Sequence, residues 1–282
     1  MSCFAENNRM KTPERIRIAG VPEHFFYPWR QWFSDQSFDR RGFEWSWTDF
    51  PGGSGAMIQS LEANEIDYAF LLTESASKAI GAGSDLIALS IFVESPLQWG
   101  IFSSAQNPIQ TIEPVEDKKY AISRFGSGSE LMAIVDAAQR GGKIQNQNWV
   151  LAHNLAGAEK ALVSGEADLF FWEKWTTKPL VDKGIFKMMG VCPSPWSSFV
   201  LVCRKDESIL PNRLKAIQSV FSEVLNLAAK LVLDQRGASK IAEAYHLQEK
   251  DAEDWLQSVR WVREWTDPQP ELDKASRWFG QK

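Results

Sequence analysis

The chain has 282 residues, which suits about two domains or one large α/β unit. Hydrophobic residues make up 44% and charged residues 24%, so a disordered or collagen-like chain is excluded. With 31 basic and 36 acidic residues the net charge is −5, which argues against a nucleic-acid partner and gives no electrostatic drive toward an anionic membrane.

Residues 15–20 alternate Ile16 and Ile18 with charge, a first strand ended by Gly20 and Pro22. An aromatic-rich helix is expected at 27–33 and a second strand at 43–48. The turn-rich run Asp-Phe-Pro-Gly-Gly-Ser-Gly at 49–55 then opens a helix with Met57, Ile58 and Leu61 on one face. Asn64 is placed to end that helix. The apolar run 66–72 suits a strand buried on both faces. Further strands are expected at 86–93, 99–103, 119–123, around 149–153, at 167–172, 186–189 and 199–203. Helices are expected from Leu131 to Ala138 and through 160–163. Beyond Pro211 the chain reads as helical, interrupted by Pro268 and Pro270. Strands separated by helices imply a parallel, helix-covered sheet.

Residues 61–70 and 162–171 echo each other at an offset of 101. Each reads as a helix, an Asn or Gly stop, a Glu-x-Asp turn and a buried strand. The repeat suggests two similar α/β lobes. The Pro-bearing segments 94–99 and 192–197 are the expected crossings between them, extended by the residue-before-proline restriction.

The best local signal for chemistry is Ser-Arg-Phe-Gly-Ser-Gly-Ser-Glu at 123–130. Ser127 and Glu130 have capping-box spacing, and Gly128 lets helix-terminal amides approach a ligand. Ser127, Gly128 and Ser129, with Arg124 beside them, suit a carboxylate, sulfonate or phosphate, although the same pattern also describes an ordinary capped helix. Gly53 and Ser54 stand at the matching position of the first half. Thr73 and Glu74 follow one echoed strand, and Trp172 and Glu173 end the other, where open α/β sheets place ligand contacts. The acids read equally well as solvated loop residues, with Lys174 and Lys178 pairing Glu173 on the surface. His24, after the first strand with Pro22, is a contact candidate or a structural histidine. Thirteen tryptophans are far above ordinary usage. Trp99, Trp172 and Trp196 are taken as cleft walls, and Trp255, Trp261, Trp265 and Trp278 as packing. No Gly-x-Ser-x-Gly or His-Glu-x-x-His motif occurs, and Cys3, Cys192 and Cys203 form no metal spacing.

These stretches, with Pro195–Trp196 and Thr176 to Lys178, resemble the type-II periplasmic-binding-protein superfamily. The resemblance is nearest to its nitrate, sulfonate and thiamine-pyrimidine branch, and within that to an orphan solute-binding-like family of fungi and bacteria. It implies an α/β fold of two lobes joined by two hinge strands. Residues 1–96 and 197–282 form the first lobe, and 97–196 the inserted second. The implied function is binding of a small anionic or heteroaromatic solute, with hinge closure, no cofactor and no metal. The alternative is a cytoplasmic enzyme on the same fold, of the thiamine-pyrimidine or menaquinone-pathway kind, although the Cys-rich motif of the former is missing. No apolar leader segment and no membrane-length apolar run is read from the sequence. The chain as given is therefore expected to be cytoplasmic, or periplasmic with an ABC permease as partner if a leader has been removed.

Overall fold

The computed structural model describes residues 14–279. The first part runs β1 (Arg15–Gly20), α1 (Tyr27–Ser34), β2 (Glu44–Asp49), α2 (Gly53–Glu62), β3 (Tyr68–Leu72), α3 (Thr73–Gly81) and the long β4 (Leu86–Ser104). The middle continues with β5 (Tyr120–Ile122), α4 (Gly128–Gln139), β6 (Trp149–Leu151), α5 (Leu155–Val163), β7 (Leu169–Glu173), α6 (Lys174–Asp182) and the long β8 (Phe186–Arg204). Five helices close the chain: α7 (Lys205–Ser208), α8 (Pro211–Leu233), α9 (Gly237–Tyr245), α10 (Glu249–Ser258) and α11 (Gln269–Ser276).

The eight strands form one sheet in the order β2-β1-β3-β8-β4-β7-β5-β6. β1 runs parallel to β2 and β3, and β5 parallel to β6 and β7. The two parallel triplets are joined only through the antiparallel central pair β4 and β8. β3 pairs with the C-terminal end of β8, from Phe199 to Cys203, and β7 pairs with β4 from Trp99 to Phe102. One sheet half therefore holds residues from the start and end of the chain, and the other holds its middle.

Each expected pair of strands at 86–93 with 99–103, and at 186–189 with 199–203, is one continuous 19-residue strand. The Pro-bearing crossings lie inside β4 and β8. There the pairing register breaks repeatedly, between Ile91 and Val93, Val93 and Pro96, and Pro96 and Gln98. Proline cannot donate to a ladder, so the bond pattern is interrupted without ending the strand.

Three helices escaped the sequence reading. α3, α6 and α7 begin directly at the ends of β3, β7 and β8, with Leu72, Glu173 and Arg204 as their N-caps. A strand that turns into a helix with no loop residue has no Gly or Pro to announce it. Pro268 and Pro270 also act differently from expectation: they start α11 rather than interrupt a helix, since proline suits the first helical turn. α8 is long and apolar enough to cross a membrane by length and composition, contrary to the sequence reading. It nevertheless buries Ile217, Val220, Phe221 and Val224 in the core.

The sequence echo has a structural cause. In the first copy Asp67 accepts the Arg17 backbone N–H at 2.7 Å, and its own N–H bonds the Arg17 carbonyl. In the second, Asp168 accepts the Lys119 N–H at 2.9 Å and donates to the Lys119 carbonyl. Each Asp, one residue before its own strand, thus ties that strand's entry to the backbone of its parallel neighbour. Asn64 (φ 57°) and Gly165 (φ 75°) make the left-handed stop before it. The first copy is reinforced by the guanidinium of Arg17 at 2.7 Å and Arg213 at 3.2 Å. Burial pushes the Asp67 carboxyl up, but these cationic partners outweigh it and hold the group below its usual range.

Removing a buried partner of two guanidinium groups is more damaging than removing a half-exposed backbone acceptor. Asp67→Ala is expected to lose about 3 kcal/mol of stability, and Asp168→Ala about 1 kcal/mol, in urea unfolding. Equal losses would show that the guanidinium groups add nothing to the lock.

Candidate functional site

The carboxyl ends of β3 and β7 converge on the irregular middle of β4 and β8. Trp99 in β4 stands opposite Glu173 in β7 and opposite Cys192 in β8. Leu72 at the end of β3 stands opposite Phe199, three residues beyond Trp196. Residues from both sheet halves therefore meet here.

Glu74, in the first turn of α3, is buried and accepts the Trp196 indole N–H at 2.8 Å through Oε2. Its Oε1 has no hydrogen-bond partner. Across from it, a Cβ on Gly128 would lie 2.6 Å from the Trp99 ring and 3.1 Å from Glu74 Oε1. Only glycine lets the start of α4 approach both groups. Glu173 caps α6, accepting the Thr176 N–H at 2.6 Å through Oε2. Its Oε1 lies 3.9 Å from His24 Nε2 and, like that nitrogen and Trp99 Nε1, is buried without a hydrogen-bond partner. His24 is held by an edge-on contact with Trp255, ring centres 4.4 Å apart. Buried polar atoms are nearly always paired, so the gathering of Glu74 Oε1, Trp99 Nε1, Glu173 Oε1 and His24 Nε2 in one region makes it a candidate site.

The electrostatics follow from burial. Desolvation raises Glu74 to about 7, opposed by the Trp196 bond. It raises Glu173 to about 7 as well, opposed by the Thr176 amide. Half-buried Glu23, beside His24, is pushed to about 8 by burial and by the Glu173 charge. Burial lowers His24 to about 3, so the imidazole is neutral and its approach to Glu173 is a contact rather than an ion pair. Two openings reach this centre. A cavity of about 190 Å³ between α3 and α4 touches Glu74, Lys78 and Ser127 and is bounded by Trp278 and Phe279. A slit of about 10 Å³ touches Glu173 and Trp255.

The sequence candidates divide accordingly. His24, Glu74, Trp99, Gly128, Glu173 and Trp196 come together. Thr73 is fully buried beside them, its hydroxyl 3.2 Å from that of Ser197. Ser127 and Ser129 are at the start of α4, but their hydroxyls bond each other at 2.9 Å and the Glu130 and Ser123 backbone N–H groups. This is the capping box, with Glu130 reaching back to Gly126. Gly53 (φ 68°) begins α2, and Ser54 accepts the Leu72 N–H, which fixes the end of β3. Arg124 is exposed and lies over Gly55 at the start of α2. Pro22 is exposed on the loop before His24.

Trp172 is not a wall of this centre. It stacks on Phe170 and packs with the smaller apolar cluster, because alternation along β7 turns it away from the face that carries Glu173. Lys178 pairs with Asp182 and Asp251 rather than Glu173, and Lys174 lies over the Trp175 ring at 3.8 Å. Trp278 lines the cavity as well as packing. Sequence reading missed Glu23, although adjacency to His24 was a signal for it; Trp255 packs as expected, but its contact with His24, from more than 200 positions away, had no local signal.

The architecture is that of the periplasmic binding proteins. Residues 99–192 match the family model described as Ca3427-like PBP. The fold is shared with the Candida albicans CA3427 gene product, described as defining a family with the generic periplasmic binding protein fold. That likeness has 22% identity and a TM-score of 0.84, and covers 96% of this chain and 92% of that one. The alkanesulfonate-binding protein SsuA from Xanthomonas axonopodis pv. citri, bound to MOPS, is similar at 17% identity, TM-score 0.73, over 88% and 86%. PhnD1 from Prochlorococcus marinus in complex with methylphosphonate follows at 10% identity, TM-score 0.63, over 96% and 100%. No curated protein matches the sequence.

Folded Glu74 holds a proton at pH values where the unfolded carboxyl, near 4.5, has lost it. That contribution to stability is fully present below about pH 4.5 and disappears as pH rises through about 7. Glu74→Gln removes the titration. The variant is expected to match wild type at pH 5 and to exceed its stability by roughly 2–3 kcal/mol at pH 8, read by urea unfolding. A difference independent of pH would show that Glu74 does not titrate in this range.

Proposed function

We propose that this chain is a solute-binding protein that takes a small organic molecule between the two halves of its sheet and closes around it. The carrying observation is the set of buried, unpaired polar atoms on His24, Glu74, Trp99 and Glu173, contributed by both halves. In this reading residues 1–96 and 197–282 form one lobe and 97–196 the other. The register breaks near Pro96 and Ser197 supply the hinge, and the closed form brings Gly128 against Trp99. The thiols of Cys192 and Cys203 are buried and pushed up to about 12, so neither serves as a nucleophilic thiolate. If the chain is exported, an ABC permease is the partner this reading supplies; one structural neighbour is the ligand-binding component of an ABC-type import system.

Native mass spectrometry of gently purified protein is the direct test. A discrete added mass that is lost on denaturation is the expected result. Gly128→Leu places a side chain where Trp99 and Glu74 close, and is expected to abolish that mass while the circular dichroism spectrum is retained. A variant that keeps the ligand at wild-type occupancy refutes the site. Small-angle scattering should show the radius of gyration falling when ligand is returned to stripped protein, and an unchanged radius argues against hinge closure.

A further inference from the structure

Resting on the cleft-binding reading above, the charges at the centre narrow the ligand. Among the described residues every buried ionisable group is an acid, apart from the neutral His24; no lysine or arginine is buried. Glu74 and Glu173 are 4% and 3% exposed. Each uses Oε2 as an acceptor, from the Trp196 indole and the Thr176 amide, and each leaves Oε1 unpaired: that of Glu74 faces Gly128 beside Trp99, and that of Glu173, in the residue opposite Trp99 in the ladder, faces His24 Nε2 at 3.9 Å. A third carboxyl, Glu23, senses the Glu173 charge. Lys78 lines the same cavity as Glu74 but is itself exposed. Lys78 and Arg124 are exposed and pair with no carboxylate among the described residues, and Lys174 is held over Trp175.

We infer that the solute presents a positively charged N–H group to Glu74 and Glu173, with its body against Trp99, so that the ligand class is a small organic cation such as an amine or amidine. Carboxylate oxygens complete their pairing by accepting charge-assisted N–H bonds. An indole face adds cation–π attraction. Above the raised range of Glu74 and Glu173, as at pH 8, a sulfonate or phosphonate group at the same place would meet two like-charged carboxyls in a desolvated pocket with no buried lysine or arginine beside them. The named ligands of the structural neighbours are therefore poor guides to this centre.

The test uses full-length wild-type protein, freed of any co-purified mass by partial unfolding and refolding. The cationic probes are benzamidine, phenethylamine and 4-aminopyridine; the anionic probes, matched in size, are benzoate, benzenesulfonate and phenylphosphonate. Thermal melting and titration calorimetry are read at pH 8. At least one cationic probe is expected to raise the melting temperature, with affinity falling at least tenfold in Glu74→Gln and in Glu173→Gln. Anionic probes that stabilise the protein while cationic ones do not overturn this assignment and leave cleft binding standing. Silence from both sets, together with a bare native mass, overturns both. Cation binding that is unchanged in both Gln variants also overturns it, since the carboxylates are then not the contacts.

Discussion

The antiparallel pairing of β4 with β8 is the constraint on which the remaining geometry rests. Among the described residues these 19-residue strands are the only elements of the sheet that belong to both of its halves. Their outer ends carry ordinary ladders to β3 and β7, with Leu201, Val202 and Ile101 fully buried or nearly so. Their middle carries prolines, broken register and side-chain substitutes for missing backbone bonds. Ser194 accepts the Leu97 N–H, Ser198 donates to the Ser95 carbonyl, and Glu271 accepts the Ser197 N–H. The β4–β8 register breaks at five places, three of them in succession from Ile91 to Gln98, and a strand pair bends most easily where such breaks cluster. The candidate site is built at that place.

Burial then sets the chemistry. Trp99 and Trp196, both projecting from this irregular middle, exclude water from Glu74 and Glu173. The same exclusion raises both carboxyls and neutralises His24. Each acid is tethered by a single short hydrogen bond, one from an indole and one from a helix-terminal amide. The tether fixes one oxygen and leaves the other turned toward the centre. Gly128 allows the approach, because any side chain there would occupy the space of Trp99. Rigid positioning by packed aromatic neighbours, such as Trp255 against His24, removes the entropy that loose side chains would lose on binding.

The two halves reach this common point by a shared local device. An Asp at the end of a helix-stop-turn locks a strand entrance, the strand runs five residues with four of them buried, and a helix starts without a loop. The copies differ where the chemistry lies. At the position where the second copy has Glu173, the first has Leu72, and the first copy carries its acid two residues later, as Glu74. Similar scaffolding thus presents two carboxyls from different depths, one as a cap and one from the first helical turn.

Much of this was legible in the chain itself. The alternation and apolar runs located the strands, because side-chain direction alternates along a strand whatever it later packs against. The echo at 61–70 and 162–171 was visible because the Asp lock and the left-handed stop need particular residue types at particular spacing. Glu74, Glu173, Gly128 and His24 were named from their place after strands or at a helix start, which is a local property. The sequence could not separate Trp172 from Trp99, since both are tryptophans of buried strands and only the pleat and register decide which face each takes. Nor could it join 86–93 to 99–103: a proline-bearing interruption reads locally as an end, and only the partner strand shows that pairing resumes beyond it. The sign of the site's charge was likewise a tertiary outcome. A Gly-rich helix start suggests an anion on its own, whereas the two acids, the neutral histidine and the exclusion of every lysine and arginine from the buried centre arise only when distant segments fold onto one another.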